Sequence, residues 1–343
     1  MGNGLRSTRG AAVPPYSHGP FTWDQQVTFT GGVAGVNSEG KVYYVDGTNG
    51  SDGNTGKGWS DAKVTIQAAI DLASAGDTIF ITAKLITDMT GDPTSYEENL
   101  TIGADTPNLS LIGISRGQTQ GGLPQLKDGT VTSDPILKVQ AAGCLIANLG
   151  FNGAGNTGGG ILLDDDYSTK SAFGTTIAGC HFKNCKGSTA TSAVTGGAIM
   201  WSGEGNAWQV RIAGNRFYKN VADVVLKGTS NTQPQDVIIE DNIFSGPAAS
   251  CDCNLFLSGA GDGINGVIIR NNVFTAFPAL GGTNDRFISA TGCTGILTGN
   301  VFATSTTLTF GAAGTGALIP TTMLMTGNYR ETTTGVNGEV FRT

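Results

Sequence analysis

Seven segments of this chain turn the same corner. CLIANLGF (144–151), TIAGCHF (176–182), VRIAGNRF (210–217), VIIEDNIF (237–244), VIIRNNVF (267–274) and GILTGNVF (295–302) share an apolar run, a corner residue and a Phe two places on; LMTGNYR (324–330) is a worn seventh copy. Aligned on the Phe, the corner is held by Leu149, Cys180, Asn215, Asn242, Asn272, Asn300 and Asn328, at intervals of 27 to 35 residues. A period of that length belongs to a solenoid, in which each unit covers the apolar face of the next. It escapes the size limit of a single-core domain because every added coil extends the same core.

One unit shows why the pattern repeats. In VIIEDNIF, Val237 and Ile239 point one way at period two, Asn242 takes the corner, and Phe244 returns to the core on the next strand. Asn is expected at the corner for its tolerance of left-handed backbone, and its stacked amides can hydrogen-bond from coil to coil. With Leu149 and Cys180 in the first two coils, the amide ladder would begin at Asn215. A second strand column follows each corner: GILLDDD (160–166), AIMWSGEG (198–205), DVVLKGTS (223–230), NLFLSGAG (254–261) and RFISATG (286–292). Two columns in register imply an all-β chain, a right-handed parallel β-helix. The 53 glycines and only 14% charged residues suit many short strands and tight corners.

Before the repeats, residues 1–38 read as a docking arm or a cap, with Pro14, Pro15 and Pro20 among Tyr16, Phe21, Trp23 and Phe29. The β-helix is expected over 39–330, with 331–343 as a C-terminal tail. Val42 to Thr82 holds a strand, a Gly/Asn/Asp loop, one helix and a second strand. Thr65 caps that helix, Ile66, Ala69, Ile70 and Ala73 form its apolar stripe, and Gly76 stops it. Such a helix closes the open end of a solenoid. The order strand, DGTNGSDGNTG, Trp59, TIQAAID, GDTIFI and YEENLTI resembles the opening of pectin-lyase-like β-helix proteins. That resemblance implies the fold over about residues 40–330. It also implies two settings: phage tailspikes and virion decoration proteins, or polysaccharide lyases and hydrolases. It does not identify an activity, because sites are grafted on folds.

A hydrolase on this scaffold needs two carboxylates on adjacent coils or across one groove. The best acidic column places Asp164 and Asp166 beside Glu204, with a loosely held Ca²⁺ or a plain solvated turn as the competing readings. Glu240 and Asp241, like Asp252 and Asp262, show no evident partner. The lyase and polygalacturonase motifs are absent: His181 stands in GCHF with no acid pair following, and Arg211-Ile212 is followed by Ala213. His181 reads as an ordinary outward residue. Trp201 and Trp208 flank the Gly203-Glu204-Gly205 turn and are the candidate aromatic faces for a sugar, although alternation leaves the side of Trp201 open. The Gly-rich runs lack the Lys-Ser/Thr of a phosphate loop.

Six cysteines without a Cys-x-x-Cys spacing, and two histidines, read as small core residues kept reduced; no metal is expected. A net charge of -7 and the absence of clustered Lys and Arg argue against a nucleic-acid partner. No apolar run suggests membrane insertion, and the first residues lack the apolar core of a signal peptide. The expectation is a virion protein made in the host cytoplasm, homotrimeric, bound to other capsid or tail proteins through residues 1–38 and contacting host-surface polysaccharide. A polysaccharide lyase or glycoside hydrolase is the first alternative, and a bacterial adhesin the second.

Overall fold

The computed structural model describes residues 40–84, 94–114, 122–154, 157–166, 168–187, 196–203, 205, 207–226, 233–245, 253–257, 263–276, 286–304, 309–311, 317–332 and 337–340. Residues 39–343 form one compact unit. Within it, strands two to five residues long stack into three sheets of ten, ten and nine strands. The first sheet runs from Val42–Val45 to Met323–Thr326, the second carries the strands after the corner, and the third runs from Leu100–Ile102 to Arg286–Ser289 and beyond. Each full coil visits the three in turn, as in Thr176–Ala178, His181–Lys183 and Ile199–Trp201, before Arg211–Ala213 returns to the first. Neighbouring strands are parallel throughout, save for Gly338–Glu339, which pairs antiparallel with Tyr329–Thr332. The chain is a right-handed parallel β-helix, the sense in which nearly all parallel crossovers run. The Phe-bearing strand is a sheet of its own, so three columns exist where two were legible, and the expected tail boundary at 330 falls inside a strand.

Two side-chain stacks fill the interior. Phe151, Phe182, Phe217, Phe244, Phe274 and Phe302 lie ring on ring, with successive centroids 4.9, 5.0, 4.8, 4.6 and 4.9 Å apart and planes within 13°. That spacing is the rise of the coils, so the register of the sheet dictates the stacking. Asn215, Asn242, Asn272, Asn300 and Asn328 form the amide ladder, all essentially inaccessible. Asn242 Oδ1 accepts from Asn215 N (2.9 Å) and Nδ2 (3.1 Å), while its own Nδ2 donates to Ile212 O and Asn272 Oδ1, both at 3.0 Å. The ladder begins at Asn215, whose Oδ1 accepts from Cys180 N at 2.8 Å.

The backbone reason expected for Asn at the corner is displaced by one residue. The left-handed residue is the one before it: Gly179, Gly214, Asp241, Asn271, Gly299 and Gly327, with φ between 56° and 68°. Asn is selected at the corner for what its amide does inside. Its φ is not positive.

The helix Ile66–Ile70 buries Ile66, Ala69 and Ile70. Thr65 Oγ1 accepts from Ala68 N, and the Glu98 carboxylate takes Ile66 N and Gln67 N, both at 2.9 Å. Those bonds satisfy donors that a helix start leaves open. Burial pushes the Glu98 carboxyl up against the pull of these two donors.

Candidate functional site

The acidic turn lies at the end of the third-sheet strand Ile161–Leu163. Leu163 pairs with Trp201 in register, so the chain beyond each of them emerges on adjacent coils. Each acid here is engaged. Asp164 Oδ2 accepts from Gln140 Nε2 at 2.7 Å and from Lys170 Nζ at 3.1 Å. Asp165 is buried, and its Oδ2 accepts from Ala172 N at 3.0 Å. Asp166 closes the 166–170 turn, accepting from the backbone N–H groups of Ser168, Thr169 and Lys170 and from Thr169 Oγ1. Those donors, led by the Thr169 hydroxyl, hold its carboxyl well below the ordinary carboxylate range. A general acid needs the reverse shift. Three carboxylates with donors of their own make a rigid elbow. Glu204, the third member of the expected cluster, lies outside the described residues.

The two tryptophans part company. Trp201 follows Leu163 and Val139 into the core and is 8% exposed, so it offers no open aromatic face. Packing against the inner column wins over the alternation that left its side open. Trp208 is half-buried, with Nε1 donating to Gln233 O at 3.3 Å. Tyr16, Phe21, Trp23 and Phe29 lie outside the described residues. Among the described residues, no three His, Cys, Asp or Glu side chains gather in a way that could hold a metal ion.

Two carboxylates have roles that their segments did not reveal. Glu240, expected to lack a partner, is clamped between Arg211 and Arg270 of the adjacent coils, with Nε to Oε1 and Nε to Oε2 distances of 2.7 Å. Burial would raise its carboxyl, but the two guanidinium forks outweigh that and hold it low. The signal was present in the repeat: Glu240 and Arg270 occupy the same column of VIIEDN and VIIRNN. Asp223, on the third sheet, is wholly buried between Asn220 Nδ2 (2.8 Å) and Asn254 Nδ2 (2.6 Å). Burial pushes its carboxyl up to about 7, against the pull of the two amides.

The cysteines Cys144, Cys180, Cys185, Cys253 and Cys293 are buried free thiols. Two of them replace the corner amide. Cys180 Sγ reaches Ile146 O (3.6 Å) and Ala178 O (3.5 Å), the pair of carbonyls that Asn300 Nδ2 meets as Ile269 O and Thr298 O. At the next corner Cys185 precedes Asn220, whose Oδ1 accepts from Cys185 N at 2.8 Å. Burial raises the Cys180 and Cys185 thiols to about 12, which leaves them unreactive.

No protein-family model matches the chain, and no curated protein does. Solved structures resemble it at the level of fold. Pectate lyase Pel9A is 12% identical over 84% of this chain and 79% of its own, with a TM-score of 0.47. A rhamnogalacturonan lyase is 11% identical over 79% and 76%, at 0.43. The GH136 lacto-N-biosidase from Eubacterium ramulus is 11% identical over 85% and 68%, at 0.35.

Proposed function

We propose that this chain is a non-catalytic structural protein of a bacteriophage particle, a capsid decoration or tailspike-like fibre, docked through residues 1–38 and assembled as a homotrimer. The observation that carries the reading is how the best-placed acids are used. Asp164, Asp165 and Asp166 are each committed to fixed donors that shape the turn, and Asp166 is held strongly ionised, the wrong state for a proton donor. The Asn and Phe columns likewise favour a stiff rod, a form suited to display or spacing. Mass spectrometry of purified particles is the test. The chain should be present in stoichiometric amount, and particles that lack it would overturn the proposal.

A further inference from the structure

The coil pair in which Cys180 replaces Asn differs from the rest on its outer surface as well. A depression of about 170 Å³ opens there, lined by Leu123, Asn148, Gly179, Gly214, His181 and Arg216. Its floor is the left-handed corner column, where Gly179 and Gly214 contribute no side chain. A Cβ placed on Gly214 would meet nothing closer than Gly179 N at 4.0 Å. Its wall carries one fixed cation, Arg216, beside the imidazole of His181. His181 and Arg216 stand opposite each other in register on adjacent strands, turned outward because Phe182 and Phe217 between their neighbours turn in. Among the described residues, neither has an acid within ion-pair distance. Burial, then the charges of Arg216 and Lys183, lowers the imidazole's proton affinity, and no carboxylate opposes that. The next coil lacks all of this. Ile243 takes the place of Arg216, and Asp241 the place of Gly214.

We propose that this depression is a subsite for a single oxyanionic group, the carboxylate or phosphate ester of a sugar-sized unit. The volume is well under the roughly 300–1,000 Å³ of a site for a drug-sized ligand, so it takes one small group and not an extended chain. The Arg216 fork and the imidazole N–H supply charge-assisted donors, Asn148 supplies an amide, and the bare glycine floor lets the ligand approach. The site stands independently of the particle reading, since it requires neither a trimer nor an arm.

Calorimetric titration of the full chain with D-glucuronate, glucose 1-phosphate and glucose tests it. The two acids should bind and glucose should not; which acid binds more tightly identifies the source of the oxyanion. Arg216→Gln should weaken binding at least about tenfold. Gly214→Asp, which copies the Asp241 corner of the next coil and so fits the left-handed backbone, should abolish it. Lys138→Gln, on the third sheet, should leave it unchanged. Binding of neither acid, equal binding of glucose, or undiminished binding in Arg216→Gln and Gly214→Asp would each overturn the assignment.

Discussion

The coils from Asn215 to Asn328 and the two before them, cornered by Leu149 and Cys180, share a backbone and differ in what the corner does. In the later coils each inner amide bonds the coil on either side, so the polar groups at the corner are consumed by the scaffold. At the Cys180 corner a thiol reaches the equivalent carbonyls at 3.5–3.6 Å, a much weaker donor than an amide, and the Leu149 corner has no polar side chain. Outside, where the Cys180 corner meets the Asn215 corner, Gly179 and Gly214 stand in the column that Asp241 continues, His181 and Arg216 stand in the one that Ile243 continues, and a depression opens. Regular coils spend their side chains on stability. At the junction where the ladder begins, His181 and Arg216 face no acid among the described residues, and there the proposed subsite lies.

The largest effect should come from the column common to both regions. Phe244→Ala opens a hole in the ring stack and should cost about 3–5 kcal/mol, read from the urea midpoint. The contrast between regions comes next. Asn242→Ala leaves the buried Asn215 N–H without its acceptor and takes the side-chain donor from Ile212 O, and should cost roughly 2–4 kcal/mol, against about 1 kcal/mol for Cys180→Ala. Equal losses would break the comparison.

Titration sharpens it further. The Asp223 carboxyl is raised from 3.8 to about 7 on folding, so its contribution to stability is full below the lower value and is lost as pH rises through the upper. The wild-type urea midpoint should therefore fall between about pH 4 and about pH 7, and Asp223→Asn should flatten that part of the decline. The smallest effect is a gain. Cys180→Asn extends the ladder by one rung, with Ile146 O and Ala178 O waiting as acceptors, and should stabilise by about 0.5–1 kcal/mol.

The repeat made the scaffold legible because its signals are local: period-two alternation gives the strands, the fixed interval gives the coils, and Phe after the corner gives the core. The start of the ladder at Asn215 could be read for the same reason. What could not be read depends on which face a short strand presents. Trp201 in AIMW shows no alternation, and only its register with Leu163 turns it inward. The three-sheet cross-section was hidden because the corner and the Phe strand run together in six or seven residues. The role of Asp223 was hidden because its partners, Asn220 and Asn254, are an adjacent turn and a residue one coil away. The depression was half visible. Aligning GCHF with GNRF places His181 over Arg216, but only the bare glycine corner and the lack of a facing acid give that pair meaning.

The central claim, that the acidic turn is architecture and the rod does no chemistry, is tested most directly by incubating the full chain with the surface polysaccharide of its host and assaying for new reducing ends and unsaturated products. The account predicts none. Product formed by the wild type and lost in Asp164→Asn or Asp166→Asn would contradict it.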